Sequence, residues 1–202
     1  MNVKVHVAGE AHASYAEEIC SLLEISAQQR GTGIARRSPD YIRRKIECGN
    51  AVIALTDDGK LAGFCYIEIW SHGKYVANSG LVVAHDFRQL GLAKQIKHWV
   101  FDLARDKYPS AKVFGITTSL AVMKINSELG YKPVTFSELT QDETFWGGCQ
   151  SCPNFDILQR CGRKMCLCTG MLAPSKLEEL EAAQSVSLVE MILKNETAAV
   201  AA

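Results

Sequence analysis

The stretch LVVAHDFRQLGLAKQI, residues 81–96, decides the reading of this chain. It opens on apolar, β-branched residues and closes on the start of a helix, with Arg88-Gln89-Leu90-Gly91-Leu92-Ala93 between the two. From Leu92 onward, Ile96, Trp99, Val100 and Leu103 recur on one helical face, and Pro109 lies just past its end. A glycine at such a junction lets a ligand approach the backbone without a Cβ in the way. The unpaired N–H groups of the first helical turn then attract an anion, aided by the helix dipole. Arg88 or Lys94 would add a charged contact. The same spacing also suits a plain strand-to-helix turn whose glycine only permits close packing. It lacks the Lys-Ser/Thr of a P-loop and the three glycines of a dinucleotide fingerprint. A nucleoside triphosphatase or a dehydrogenase is therefore disfavoured.

Working outward, helical and strand periods alternate. Upstream, Ser14 and Glu17 form a capping-box pattern ahead of Ile19, Leu22 and Leu23, and that helix ends near Arg30-Gly31. A loop, GTGIARR, leads to Ser38-Pro39, which starts a second helix with Ile42 and Ile46 on its buried stripe and Gly49-Asn50 at its stop. Residues 51–56, an Asp58-Gly59 turn and residues 61–70 read as a hairpin, and a reversal near His72-Gly73 leads into a strand over 75–84. Downstream come a strand at 112–117, a short helix from Leu120 to Leu129, and strand candidates at 134–136 and 164–171. Leu180, Leu188, Met191 and Ile192 give residues 177–194 a helical pattern, followed by an Ala-rich tail. The order predicts an α/β domain with a mixed, mostly antiparallel central sheet flanked by helices.

With 202 residues, 48% of them apolar, the chain has room for one domain with a real core. Its 22 basic residues balance 22 acidic ones, leaving no broad footprint for nucleic acid or an anionic membrane. No apolar run spans a bilayer, and MNVKVHVAGEAH does not read as a signal peptide. Eight cysteines without a secretory signal point to a reducing, cytoplasmic setting.

The segment around Gly91 resembles the acyl-CoA-binding motif of the GNAT N-acetyltransferases, Q/R-x-x-G-x-G/A, with Arg88, Gly91 and Ala93 at the defining positions. The order of elements is similar too, over roughly residues 14–172. The resemblance implies acetyl-CoA or another acyl-CoA as co-substrate. Leu81, Val82 and Val83 would bond the pantetheine arm, and Gln89, Leu90, Gly91, Leu92, Ala93 and Lys94 the diphosphate. A backbone N–H on the motif strand, assigned to Val83, would face the thioester oxygen.

Two further segments look like the catalytic domain of N-acetylglutamate synthases: residues 33–67, with Arg36-Arg37-Ser38 at a helix start, and residues 113–134, with a Thr-Thr strand end. They imply a small amino-acid acceptor such as glutamate, its carboxylates held by Arg36 and Arg37 beside Ser38 and Thr118. Those synthases carry an arginine where this chain has Ser119, so Lys74 or Lys124 would substitute. Many relatives have a glutamate base on the motif strand. Here the stretch reads Val76-Ala77-Asn78-Ser79, and Glu68 on the neighbouring strand becomes the candidate base. The same residues leave open a polyamine, an aminoglycoside or a protein amine as acceptor, or a non-catalytic acyl-CoA-binding or zinc-stabilised module.

Cys149-x-x-Cys152 and Cys166-x-Cys168 fit tetrahedral coordination of zinc. They fit equally a set of packed free thiols, or redox chemistry. They fall in an extended Cys-rich link, 145–168, between the last two strands of a domain spanning 1–172, with a C-terminal helix and tail over 173–202. Phe145, Trp146 and Phe155 in that link would close over the active site or build a contact between two copies in a homodimer.

Overall fold

The computed structural model describes residues 2–31 and 36–186. Seven strands form one sheet in the order β1-β2-β3-β4-β5-β7-β6: Val3–Val7 (β1), Ala51–Thr56 (β2), Leu61–Trp70 (β3), Tyr75–Val83 (β4), Lys112–Thr117 (β5), Lys132–Val134 (β6) and Thr169–Ala173 (β7). Every neighbouring pair is antiparallel except β4 and β5. Ala16–Arg30 (α1) and Pro39–Glu47 (α2) cover one face, and Leu92–Lys107 (α3) and Leu120–Glu128 (α4) the other. Burial on both faces explains why β2 and β3 read as near-continuous apolar runs rather than alternating ones.

Local chemistry sets the helix ends. The Ser38 hydroxyl accepts the Tyr41 N–H at 3.3 Å, Pro39 takes the first helical position, and Ile42 and Ile46 are buried. Gly31 closes α1 in the left-handed conformation. Three expectations shift. The period-two run VKVHV, unassigned in the sequence reading, is strand β1 on the sheet edge. Helix α1 starts at Ala16 behind a 3-10 turn over Glu10–Tyr15, so Ser14 is not its cap. Cys166 and Cys168 precede β7 rather than lying on it, because β5 offers no partner beyond Thr117↔Thr169. Residues 176–186 are helical, and the part of the C-terminal helix and tail from 187 on, including Leu188, Met191 and Ile192, lies outside the described residues.

Two irregularities position the site. The parallel pairing of β4 and β5 stops at Ala77↔Phe114, so Asn78–Val83 and Gly115–Thr117 diverge with free facing edges. The register of β3 against β4 shifts between Phe64↔Val82 and Tyr66↔Ser79, marking a bulge around Gly80. Gly80 has φ +66°, and a Cβ there would lie 2.4 Å from the Tyr66 ring. Only glycine fits.

Candidate active site

The turn between β4 and α3 has the form the sequence suggested. Gln89 and Gly91 both take positive φ, which turns the chain sharply ahead of Leu92. The N–H groups of Gln89, Leu90, Gly91, Leu92 and Ala93 have no partner among the described residues. Lys94 and Gln95 both donate back to the Gly91 carbonyl and close the first turn. The result is a solvent-facing cluster of amides at the positive end of a 16-residue helix, suited to an anion. No atom lies within 4 Å of a Cβ built on Gly91, so the approach is open. The charged neighbours are already engaged. Arg88 donates to the Val83 carbonyl and to Gln29, and Lys94 pairs with Glu128 of α4 at 2.7 Å.

Below this turn a cavity of about 160 Å³ occupies the cleft between β4 and β5. Its floor is Ala77–Leu81 and Phe114–Thr117. Its roof comes from the β6–β7 link, where Glu143–Gly147 (α5) and Phe155–Arg160 (α6) fold over the sheet. Phe145 packs between Trp70, Phe114 and Trp146, and the Trp146 indole N–H donates to the Thr140 carbonyl at 2.8 Å. Phe145, Trp146 and Phe155 all line the cleft. A second hollow, between α1 and the link, shares Leu23 and Arg37 with the first.

Arg37 is the hinge between the two hollows. Its Nε donates to the Tyr66 hydroxyl at 2.9 Å, its guanidinium lies 5.3 Å from the Tyr41 ring centre, and Nη2 is 4.0 Å from Glu68. Burial disfavours its charge, but Tyr66, Glu68 and Tyr41 outweigh this and raise its pKa. Glu68 is 5% exposed and its Oε1 accepts the Tyr41 hydroxyl, with Lys45 3.9 Å from the same oxygen. Oε1 thus faces Tyr41 and Lys45, and Oε2 faces Arg37. Arg36 differs. Its side chain is solvated and pairs with Glu24 at 3.3 Å, at the rim of the second hollow.

Sequence reasoning missed Lys97. The helical period assigned Trp99 to the buried face, yet Trp99 is 45% exposed and Lys97 is 2% exposed. Lys97 Nζ donates to Asn78 Oδ1 at 3.1 Å and lies 5.3 Å from the centre of the Tyr131 ring, whose hydroxyl donates to the same oxygen at 2.6 Å. The sequence signal was its position one residue past Ile96, inside the apolar arc. Burial pulls the Lys97 pKa down to about 8, and the nearby Cys65 thiol opposes this only in part. The folded state thus binds this proton more weakly than the unfolded chain, so the contribution of Lys97 to stability is expected to rise as pH climbs from about 8 toward 10. The buried thiols of Cys65, Cys149 and Cys168, pushed up from 9.0 to about 11, about 11 and about 12, act in the opposite direction above about 9. Urea unfolding midpoints of wild type and Lys97→Met across that range check this: the variant is expected to lose more stability than the wild type as pH rises.

Residues 17–121, just over half of the chain, match the family model described as acetyltransferase (GNAT) family. The chain belongs to that family. No curated protein matches it. Among solved structures, the N-acetylglutamate synthase of Neisseria gonorrhoeae complexed with coenzyme A and N-acetyl-glutamate aligns at TM-score 0.62 and 18% identity over 87% of this chain. This chain spans only 35% of that one. The Rv2747 protein of Mycobacterium tuberculosis, in complex with CoA, aligns at TM-score 0.61 and 16% identity, covering 85% of this chain and 98% of that one. The phosphinothricin acetyltransferase of Sinorhizobium meliloti, in complex with AcCoA, gives TM-score 0.58 and 14% identity over 87% of this chain and 89% of its own. At these identities the likeness establishes the fold.

Within the GNAT frame several expected positions move. Val83 is buried and outside the cavity lining, whereas Gly80 and Leu81 line it, because the bulge turns that part of β4 toward the cleft. Lys74 lies exposed at the opposite end of β4, and Lys124 is exposed on α4; neither lines either hollow. Thr117 rather than Thr118 lines the cleft, and its hydroxyl accepts the Ser119 N–H. The Ser38 hydroxyl is committed to capping α2. Cys149, Cys152, Cys166 and Cys168 do gather on the roof of the cavity. Burial, reinforced by the neighbouring thiols, pushes Cys149 up to about 11 and Cys168 up to about 12. Among the described residues, however, no group of three or more His, Cys, Asp or Glu is arranged to hold a metal ion. Cys149, Cys166 and Cys168 pack against the aromatic roof as free thiols.

Proposed function

We propose that this GNAT protein is an acyl-CoA-dependent N-acyltransferase that moves an acetyl or succinyl group to the α-amine of a small amino acid, glutamate foremost. The observation that carries the proposal is the open amide turn at Gln89–Ala93, past the C-terminal end of β4, together with the cavity between β4 and β5 that Arg37 lines. The diphosphate of the acyl-CoA would sit on the turn, and its arm would enter between the free strand edges. Arg37, aimed by Tyr66 and Glu68, would hold an acceptor carboxylate. The amine nitrogen then attacks the thioester carbonyl and forms the C–N bond, while N–H groups near the Gly80 bulge take up the charge on oxygen. The C–S bond breaks, the thiolate leaves, and the amine proton passes to water in the cavity.

A polyamine or aminoglycoside suits this cavity less well, because its charged lining residues are Arg37, Lys97 and a single acid, Glu68. Free thiols throughout the described residues support a reducing, cytoplasmic setting. No described helix is long and apolar enough to cross a membrane. The test is a thiol-release assay with acetyl- and succinyl-CoA against the twenty amino acids, ornithine and spermidine. Turnover with glutamate supports the reading. Turnover with spermidine alone would sink the amino-acid assignment, and acyl-CoA binding with no turnover would favour a non-catalytic role.

A further inference from the structure

Among the described residues the cavity lining holds a donor without an acceptor and a cation without a counter-charge. Asn78 Oδ1 receives both the Lys97 ammonium and the Tyr131 hydroxyl, which fixes the orientation of the amide. The Nδ2 group of Asn78 is then buried with no hydrogen-bond partner among the described residues. Lys97 takes part in none of the salt bridges there, although it is 2% exposed. A buried ammonium without a counter-charge is costly, and so is a buried N–H without an acceptor. Both groups line the same cavity, at the point where pairing of β4 with β5 gives way. Together they lack one anion.

The acyl-transfer reading, on which this inference rests, says where that anion comes from. The C-terminal end of β4 lies beside the amide turn, so an acyl-CoA bound there runs back along β4 from Val83 toward Asn78. The acyl group is the last part of the arm and reaches the Asn78 end. Phe114, Ile116 and Val122 line the way with apolar surface suited to methylene groups. We propose that Lys97 and Asn78 receive a carboxylate at the far end of the acyl chain, so that the group transferred is an ω-carboxyacyl group such as succinyl in preference to acetyl. One carboxylate oxygen takes Lys97 and the other takes Asn78 Nδ2. Arg37 is not available for this role. Strand alternation puts Asn78 on the α3 face of the sheet, and Glu68 with its partner Arg37 on the α2 face.

Calorimetric titration of the full chain with acetyl-, propionyl-, succinyl- and glutaryl-CoA tests this without knowledge of the acceptor. Succinyl- or glutaryl-CoA is expected to bind about 10- to 100-fold more tightly than acetyl-CoA. In Lys97→Met that ratio is expected to collapse toward one. In Asn78→Asp it is expected to collapse as well, because the new carboxylate occupies Lys97 and repels the ligand. Circular dichroism confirms that each variant is folded. Equal binding of all four ligands by the wild type, or an equal loss for all four in both variants, overturns the ω-carboxylate site and leaves acyl transfer standing. Failure of every acyl-CoA to bind overturns the transferase reading itself.

Discussion

Arg37→Ala is expected to lower kcat/KM for glutamate by about 100-fold, mostly through KM, with acyl-CoA affinity little changed. The Arg37 side chain is 20% exposed, and Nε is already held by Tyr66 and one edge by Glu68, so the guanidinium loses little freedom when an acceptor carboxylate arrives. Removing it takes away the charged contact and also strips Glu68 of one of its two cationic neighbours. The second consequence is a stability loss of about 2 kcal/mol, because a buried carboxylate is left under-compensated. Arg36→Ala is the comparison. Its side chain is 76% exposed and, among the described residues, paired with Glu24 alone, so its removal is expected to change activity less than about threefold and stability by less than about 0.5 kcal/mol. Initial rates against glutamate concentration decide between them. Equal losses for the two variants would show that both arginines contact the acceptor.

Gly80→Ala is expected to be the more damaging backbone change. Its φ of +66° is strained for any residue with a Cβ, and the added carbon would lie 2.4 Å and 2.9 Å from two atoms of the Tyr66 ring. Tyr66 is 2% exposed, so the ring has nowhere to withdraw, and its hydroxyl is the group that aims Arg37. Strain and overpacking together are expected to cost about 3 kcal/mol, which lowers Tm by about 10 °C. Activity should fall with it, since the β4 bulge and the arginine move together. Gly91→Ala separates the two effects. Nothing lies within 4 Å of its Cβ, so it is expected to cost about 1 kcal/mol of stability while weakening coenzyme A binding more than Gly80→Ala does. Thermal melts and coenzyme A titration of the two variants check this. A Gly80→Ala protein with an unchanged melting temperature would show that Tyr66 is free to move.

Local rules account for much of the fold. The Ser38-Pro39 helix start, the Gly31 stop, the Asp58-Gly59 hairpin and the turn at Gly91 each depend on chemistry within a few residues, and each lies where that chemistry puts it. Strand β1 carried its period-two signal openly in VKVHV, but an edge strand becomes a strand only when β2 pairs with it. Ser14 failed as a cap because the preceding segment coils into a 3-10 turn that already satisfies the chain there.

The site followed a different division. The amide turn was legible because one helix N-terminus and one glycine make it. Arg36 and Arg37 are adjacent in sequence and indistinguishable by it. Only packing against Tyr66 and Tyr41 separates the buried arginine from the solvated one. Likewise the convergence of Cys149, Cys152, Cys166 and Cys168 on one roof followed from their spacing, whereas the packing of Cys149, Cys166 and Cys168 against aromatic rings did not. Helical periodicity gives an arc but not its occupant. It put Trp99 on the buried face and passed over Lys97, whereas the structure leaves Trp99 exposed and turns the lysine inward to Asn78 where β4 and β5 part. The sequence by itself determined where the chain turns and where the first amides of a helix are left unpaired, because those are properties of neighbouring peptides. Tertiary structure alone decided which charges lie inside, because burial depends on partners brought in from distant strands.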